Sequence, residues 1–386
     1  MSARPRILDI SFSPITRDAR VMRQVSVLAG LGDVTTVGYG PHPPAATRHL
    51  EIEPQLNSLP RTPGGVLRLA ARRLKSVEAS APALVRALEL IGDDRFDLVV
   101  SNDARALPVA HRVARGAPVW ADMHEWAAEE FSHDPVWRTF VAPLMDHACR
   151  AYLPASAAVT TVCDALADRY RERYGVRPAV VRNAAPWADL EPAPLDGDRV
   201  RLVHSGGAQK GRYIELLIGA TKALGDRFTL DLYLVPGGDG GRHLKVLREL
   251  AGGSERIRFH DPVPPADLPR TLNAFDVGVF CMPPINVNAR YALPNKFFDF
   301  VQARLAVAVG PADEMARLVH RHGLGVVSDD FSETSFAEAL STLTPERLAA
   351  CKKASDAASR ELSSETDERV ETDLVRELLG ATTTAR

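Results

Sequence analysis

The sequence predicts an α/β fold in which two Rossmann-like domains face a central cleft. Short apolar runs alternate with amphipathic stretches along most of the chain, as expected for strands that alternate with helices. The length of 386 residues exceeds what one hydrophobic core usually supports, roughly 250–300 residues. A proline-rich stretch interrupts the alternation near the middle. We therefore expect a first domain over residues 1–185, a linker over 186–198, a second domain over 199–345 and a helical segment over 346–386.

The composition is ordinary for a globular protein and excludes several other classes. Hydrophobic residues make up 45% and charged residues 25%, and the formal net charge of −2 gives no general argument for nucleic-acid binding. The four cysteines show no Cys-x-x-Cys spacing, so neither a zinc ribbon nor a disulfide framework is expected. No cationic N-terminal segment leads into an apolar run, and no run of about 20 apolar residues could span a bilayer. We therefore expect a cytoplasmic protein.

The first domain opens with a βαβ pattern. A strand is predicted over residues 6–11, a helix over 16–31 and a second strand over 34–38. The turn after the first strand lacks the Gly-x-Gly-x-x-Gly spacing of dinucleotide enzymes, which argues against NAD binding at this turn. Residues 39–63 are rich in proline and histidine and are predicted to form a loop.

Basic and apolar side chains are mixed in the next segment. Over residues 66–77, Arg68, Arg72 and Arg73 are interspersed with valine and leucine, a pattern that predicts a basic amphipathic helix. Such a helix can lie on an anionic membrane surface. It can also be a domain helix with a solvated arginine face, and the pattern leaves both alternatives open.

Polar side chains follow one of the later strands of the first domain. Strands are predicted at 98–101, 119–122 and 158–162, then a helix over 164–174 and a short strand at 179–181. His124 comes just after the second of these, between Asp122 and Glu125. In parallel sheets such a position faces the ligand-binding edge. His124 is therefore a candidate functional residue, with Glu125 as a base or as an orienting group, and a structural histidine as the alternative.

The second domain repeats the alternation. Its elements are predicted as a strand from residue 200, a helix over 213–224, a strand over 230–235, a helix near 243–250, a strand over 257–260, a helix near 266–274, and strands over 276–280 and 306–310.

Two segments of the second domain are typical of phosphate binding. Residues 205–212 follow a strand and contain Gly206, Gly207, Lys210 and Arg212. Glycines allow the backbone to approach a diphosphate, and the two cations would neutralise its charge. A plain turn with solvated charges is the alternative.

The second segment lies between the last two strands. Asn295 and Lys296 stand at the start of a predicted helix, where Pro294 is tolerated in the first turn, and Asp299 follows one turn later. A helix N-terminus after a buried strand is a common anion site. Asp299 could accept hydrogen bonds from two ribose hydroxyls, so this segment predicts a nucleotide pocket.

This second segment also carries a resemblance to a known family. Residues 293–300 (Leu-Pro-Asn-Lys-Phe-Phe-Asp-Phe), followed by a short hydrophobic strand, resemble the nucleotide-sugar segment of retaining glycosyltransferases with the GT-B fold, family-four-like. The resemblance spans about positions 6–345. Asp299 stands where the family usually has Glu, and Tyr291 stands where many members have a second Glu eight positions earlier. The resemblance implies GT-B architecture, in which a terminal helix often crosses back to the first domain.

The resemblance also implies roles for individual residues. Arg212 matches the cation that ends the family's glycine-rich turn, with Lys210 as the second match. His124 matches a histidine that touches the donor sugar or the acceptor. The implied catalytic residues are His124, Arg212 and Lys296. The implied donor-binding residues are Gly206, Gly207, Lys210, Arg212, Asn295, Lys296 and Asp299.

The expected function is transfer of a sugar, with retention and without a metal, from a nucleoside-diphosphate sugar to an acceptor hydroxyl. The acceptor is a glycan, a lipid or a small molecule, no cofactor beyond the donor is expected, and contact with the inner face of the cell membrane stays an open alternative. Asp196 and Asp198 spell the Asp-x-Asp of metal-dependent enzymes but lie in the predicted linker. A nucleotide-sugar 2-epimerase and a non-catalytic binding protein are the alternative functions.

Overall fold

The computed structural model describes residues 4–384, with side chains through residue 381. The chain forms two compact units. The first unit contains the chain up to Arg182 together with residues from Asp367 onward, and the second unit is Asn183–Thr366. The chain therefore passes from the first unit to the second and returns near its C-terminus.

The first unit is built on a parallel sheet whose described strands follow the order β3-β2-β1-β4-β5-β6-β7. The strands are β1 (Arg6–Pro14), β2 (Asp33–Tyr39), β3 (Arg48–Ile52), β4 (Leu98–Asn102), β5 (Val119–Met123), β6 (Ala158–Thr161) and β7 (Ala179–Val180). The helices are α1 (Ala19–Leu31), α2 (Pro63–Ala70), α3 (Pro82–Ile91), α4 (Asp103–Ala114), α5 (Ala142–Tyr152) and α6 (Asp164–Tyr174).

Apolar side chains cover both faces of this sheet. Leu8 and Ile10 of β1 belong to a core cluster that includes α3 and α4 residues, whereas Ile7 belongs to a second cluster with α1 residues. Successive strand residues point to opposite faces, so a continuous apolar run suits a strand that is buried on both sides. Val375, from the C-terminal helix, packs into the second cluster.

The structure corrects two predictions for the first unit. Residues 39–63 are not a single loop, because β3 lies within them and pairs with β2. The helix predicted over 66–77 is not continuous, since α2 ends at Ala70 and a 3-10 turn follows at Leu74–Ser76. Arg72 between them has a φ of 55°, a left-handed conformation that a helix cannot contain.

The second unit contains another parallel sheet, with the described strands in the order β10-β9-β8-β11-β12-β13. The strands are β8 (Val200–Ala208), β9 (Phe228–Pro236), β10 (Ile257–His260), β11 (Val277–Phe280), β12 (Ala306–Val309) and β13 (Gly325–Val327). The helices are α7 (Ile214–Ala223), α8 (Arg242–Ala251), α9 (Leu268–Leu272), α10 (Val287–Arg290), α11 (Asn295–Gln302), α12 (Asp313–His322), α13 (Glu333–Ser341) and α14 (Pro345–Ala358). Helix α15 (Ser364–Thr384) begins in the second unit, and most of its length belongs to the first.

Helix α11 packs very closely on the sheet of the second unit. A Cβ at Gly278 in β11 would clash with the Phe300 ring, so only glycine allows this approach. Phe297 and Phe298 are also fully buried. Pro294 occupies the N-cap position just before the helix, with an extended ψ of 150°. It does not form part of the first turn, contrary to the prediction from the sequence. These contacts fix the N-terminus of α11 relative to the strand ends.

Helix α15 connects the two units. Its first residue, Ser364, donates a backbone hydrogen bond to the Ala185 carbonyl in the second unit. Further along, Val375 and Leu378 belong to the first unit and are buried in its second core cluster. No helix within residues 4–384 has both the length and the apolar character required to cross a membrane.

Candidate functional site

Strand order indicates where ligands can bind in each unit. In both sheets the order reverses direction between the first and the fourth strand, that is, between β1 and β4 and between β8 and β11. Ligands of open α/β sheets bind at the carboxyl ends of the strands beside this switch point. Each unit has a group of polar and charged side chains at these strand ends.

The group in the first unit surrounds His124, which follows the end of β5. Its Nε2 lies 3.0 Å from Asn102 Oδ1 and 3.3 Å from Asp122 Oδ2. Its Nδ1 lies 3.4 Å from Asp103 Oδ2, and its backbone N–H donates to Asp103 Oδ1. Asp9 at β1 completes this group, which we call the histidine cluster. Strands β1, β4 and β5 are neighbours, so their register brings together residues that are far apart in sequence.

Asp122 is the buried anion of the histidine cluster. It is fully buried and accepts two hydrogen bonds from the Arg20 guanidinium, at 2.6 and 2.8 Å. Thr160 and Gln24 donate to it as well. Burial alone would raise the pKa of Asp122, but Arg20 and His124 hold it below the usual range. Asp122 is therefore ionised at neutral pH.

The side-chain amide of Asn102 has a defined orientation. Its Nδ2 donates to Asp9 Oδ1 at 2.7 Å and to Gln24 Oε1 at 3.0 Å. Its Oδ1 must then accept from His124 Nε2, which consequently carries a hydrogen. Every side-chain atom that faces the His124 nitrogens is an acceptor. Burial disfavours the charged ring, but Asp103 and Asp122 outweigh it and raise the pKa of His124 to about 9.

His124 is thus an imidazolium at neutral pH. Such a ring donates hydrogen bonds and stabilises negative charge, and it is not available as a general base. Burial and the Asp122 charge raise the pKa of Asp9 to about 8, so Asp9 is protonated and does not compete with Asp122 for the histidine. The Oδ2 of Asp9 is buried without a hydrogen-bond partner.

Glu125 does not orient His124, because Asp122, Asp103 and Asn102 do so. Its backbone carbonyl accepts from the Tyr170 hydroxyl at 2.7 Å. Burial, together with the charge of Glu130, raises the pKa of the Glu125 carboxyl to about 8. The half-buried Glu125 carboxyl is therefore protonated at neutral pH, next to the histidine cluster.

The group in the second unit lies at the end of β8. Gly206 has a φ of 137°, which L side chains rarely adopt. A Cβ at this position would lie 2.7 Å from Lys296 Nζ, so the missing side chain makes room for the lysine. Lys296 Nζ lies 3.2 Å from His204 Nε2. Two of the predicted residues, Gly206 and Lys296, are therefore adjacent.

Cations dominate the potential at this turn. Burial, followed by the charge of Arg212, lowers the pKa of Lys296 to about 7, and Asp299 opposes the shift. The side chains of Lys210 and Arg212 are exposed, and neither forms an ion pair with a described residue. The backbone N–H of Arg212 donates to the Gln209 carbonyl and closes the turn. We call Gly206, Gly207, Lys210, Arg212 and Lys296 the cationic turn.

Helix α11 brings two more predicted residues to the same region. Asn295 is the first helical residue and is exposed. Asp299, one turn later, is half-buried and close enough to influence Lys296 electrostatically. Tyr291, at the end of α10, has the Arg290 guanidinium 5.4 Å from its ring centre. The cationic turn and the N-terminus of α11 together form a concentrated positive region.

The described part of the chain shows no arrangement of side chains with metal-ligand geometry. Asp196 and Asp198 are both exposed. Within residues 4–384, no group of three or more histidine, cysteine or acidic residues is arranged to hold a metal ion.

Comparison with known proteins shows a similarity of the first unit to one protein family. The model of the family "Glycosyltransferase Family 4" matches residues 23–191. This segment is therefore similar to family-4 glycosyltransferases, and it makes up less than half of the chain. The matched segment includes the histidine cluster except Asp9, and the cationic turn lies outside it. No curated protein sequence matches the chain significantly.

Solved structures extend the comparison to the whole GT-B fold. Sucrose-phosphate synthase from Thermosynechococcus elongatus has a TM-score of 0.69 at 14% identity, covering 98% of this chain and 100% of that one. HepE from Anabaena, in complex with UDP, has a TM-score of 0.68 at 14% identity, covering 96% and 100%. Trehalose 6-phosphate synthase from Burkholderia multivorans has a TM-score of 0.67 at 13% identity and covers 100% of each chain. At such identities the likeness shows the fold, and it confirms the predicted α/β GT-B architecture.

Sequence reasoning missed four residues of these groups, namely Asp9, Asn102, Asp103 and His204. Asp9 and His204 lie within β1 and β8, Asn102 ends β4, and all three are nearly or fully buried. Asp9 and His204 each interrupt an apolar strand with a polar side chain, which is unfavourable unless that side chain is hydrogen-bonded. This interruption was the available signal, but it does not reveal which partner satisfies the group.

Proposed function

We propose that the protein transfers a sugar from a nucleoside-diphosphate sugar to an acceptor hydroxyl, with retention of anomeric configuration and without a metal ion. The cationic turn beside the N-terminus of α11 is the observation that carries this proposal. Lys296 and Arg212 supply positive charge where a leaving diphosphate would develop negative charge. The family-4 match of the first unit supports the same reaction class.

The proposed role of Arg212 and Lys296 is to stabilise the leaving diphosphate. As the bond between the sugar and the diphosphate breaks, its electron pair passes to the phosphate oxygen, which Arg212 and Lys296 would stabilise. The acceptor hydroxyl attacks from the same face and gives its proton to the departing phosphate. This route retains configuration without a nucleophile from the protein. Because Arg212 is exposed and without an ion pair, its full charge is available to the phosphate.

Donor binding and sugar transfer are assigned to different residues. Asp299 would accept hydrogen bonds from ribose hydroxyls, while the backbone at Gly206, Gly207 and Asn295 would contact the phosphates. His124 is assigned to the transfer step. As an imidazolium whose two N–H groups face three acceptors, it would stabilise negative charge on a sugar or acceptor oxygen rather than remove a proton.

UDP is the first donor nucleotide to test. The Anabaena HepE structures were obtained with UDP, with UDP and glucose, and with UDP-glucose. We propose a hexose donor of this kind and a sugar, lipid or small-molecule acceptor. The synthases of similar fold are named for phosphorylated sugar products, so sugar phosphates belong in the acceptor panel.

Peripheral contact with an anionic membrane is a further part of the proposal. A cavity of about 560 Å³ between α2 and α5 is lined by basic side chains, namely Arg68, Arg72, Arg73, Lys75 and His147. Val66 and Leu67 beside it are 49% and 71% exposed. Cations and exposed apolar side chains on one surface are typical of proteins that bind anionic lipid.

Sedimentation with vesicles tests the membrane contact. Charge reversal of Arg68 and Arg73 should reduce sedimentation with anionic vesicles at low salt, whereas Arg177→Glu, which changes charge in another part of the unit, should not. If the parent protein stays in solution at low salt, the surface is merely solvated and this part of the proposal is wrong.

Release of UDP from UDP-sugars, with and without acceptors, tests the reaction. Arg212→Ala should lower turnover by about a hundredfold or more, because the phosphate charge grows in the transition state. His124→Ala should impair transfer and leave UDP affinity unchanged. Formation of an epimeric nucleotide sugar without acceptor would instead indicate a 2-epimerase. Binding without any conversion would indicate a non-catalytic protein.

A further inference from the structure

A buried histidine stands in β8, two residues before Gly206. His204 is 1% exposed, and its Nδ1 lies 2.8 Å from the carbonyl oxygen of Val279 in the neighbouring strand. A carbonyl can only accept, so Nδ1 carries the hydrogen and Nε2 presents a lone pair. This lone pair faces Lys296 Nζ at 3.2 Å, and the lysine therefore donates to the histidine.

The partner of Lys296 is thus a neutral ring instead of a carboxylate. Within the described residues, Lys296 forms no ion pair with an acidic side chain. The Phe280 ring lies 4.9 Å from Nζ and parallel to the histidine ring, at an interplanar angle of 4°. These contacts hold the amine in place but do not cancel its charge. A half-buried ammonium without a counter-ion favours the arrival of an anion.

We propose that His204 is a positioning residue that holds the Lys296 amine at Gly206, where the diphosphate of the donor serves as the counter-ion of the lysine. This inference rests on the function proposed above. His204 itself does not touch the substrate, because the lysine lies between its Nε2 and the turn. Its effect on binding is exerted through the position and protonation of Lys296.

Binding of the diphosphate should therefore be coupled to proton uptake. The charged and titratable groups that face Lys296 are His204 from β8, Arg212 from the turn and Asp299 from α11. Burial and Arg212 hold the pKa of Lys296 at about 7, so most of the lysine is neutral at pH 8. A bound diphosphate favours the ammonium and raises this pKa. The free protein should accordingly take up close to one proton per UDP bound at pH 8.

Two substitutions separate the two hydrogen bonds of His204. In His204→Asn the amide overlies the Nδ1 position, so it keeps the donor to Val279 but loses the acceptor for Lys296. In His204→Gln the amide reaches the Nε2 position and can still accept from Lys296. Lys296→Arg serves as the control for protonation, because a guanidinium stays charged at every pH used.

The experiment is calorimetric titration of UDP, and of inorganic pyrophosphate as a base-independent probe, at pH 8 in buffers of different ionisation enthalpy. The terminal phosphate of UDP is already ionised at this pH, since its second pKa is near 6. We expect the parent to take up a proton, and His204→Asn to bind about tenfold more weakly with reduced uptake. His204→Gln should stay within about threefold of the parent, and Lys296→Arg should bind without uptake.

Each other outcome has one meaning. Parental affinity and parental uptake in His204→Asn would overturn the inference. Equal losses in both histidine variants, with uptake unchanged, would also overturn it, because His204 would then merely support the strand. If the parent binds neither UDP nor pyrophosphate, the proposed function fails and this inference falls with it.

Discussion

The ion pair between Arg20 and Asp122 makes a quantitative prediction about the first unit. Arg20 is 6% exposed and Asp122 is fully buried, and two short hydrogen bonds join them. Asp122→Asn preserves the shape of the side chain but leaves the guanidinium buried without its anion. Breaking a buried pair in this way typically costs about 3–5 kcal/mol.

The structure indicates that the stability loss of Asp122→Asn lies at the lower end of this range. Glu371 of α15 is buried nearby, and burial together with the repulsion of Asp122 raises its pKa to about 8. When Asp122 loses its charge, Glu371 can ionise and partly compensate Arg20. We therefore expect a loss of about 3 kcal/mol. For a unit of this size, that loss corresponds to a decrease in Tm of roughly 6–12 °C.

Tryptophan fluorescence during urea unfolding measures this effect. Three of the four tryptophans, Trp120, Trp126 and Trp137, belong to the first unit, so the signal reports mainly on it. Glu53→Gln is the matched control because it removes the anion of a half-exposed pair with Arg86, for which we expect little change. Equal stability of the two variants would refute the reasoning. The His124 ring should also titrate at lower pH in Asp122→Asn, which histidine NMR can follow.

Three further predictions concern individual residues of the two groups. The pKa of Asp9 is about 8 in the folded protein and about 3.9 in the unfolded chain. The stability that Asp9 contributes by holding its proton is therefore complete below about pH 3.9. It falls by about 1.4 kcal/mol per pH unit as the pH rises from about 3.9 to 8. Asp9→Asn should flatten the decline of the urea midpoint between pH 5 and 8, and an unchanged slope would contradict this. Gly206→Ala should abolish UDP binding in calorimetry, since the new Cβ would displace Lys296 Nζ; parental affinity would mean that the turn does not contact the diphosphate. Asp299→Asn should weaken UDP binding by about 1.5–3 kcal/mol, while dideoxyribose analogues should bind parent and variant alike; unchanged UDP affinity would remove Asp299 from the site.

Local sequence patterns predicted the secondary structure well where apolar runs were continuous. The predicted strand at 257–260 and helix at 164–174 have the same bounds as β10 and α6. Periodicity is a property of neighbouring residues, so it can be recognised without knowledge of the fold. The prediction failed at β3 because this edge strand lies among prolines and polar residues, and at α2 because one left-handed residue ends the helix.

The strand order and register decided which polar groups meet. Asp9, Asn102 and Asp122 are separated by many residues, yet β1, β4 and β5 place them around one histidine. Likewise, His204 and Lys296 meet only because α11 packs against the strands next to β8. The protonation of His124 and Lys296 follows from these neighbours and from burial, and neither is encoded in the residues adjacent in sequence. The local pattern therefore determined which elements form and which side chains could carry chemistry, whereas tertiary packing set their partners and their charge.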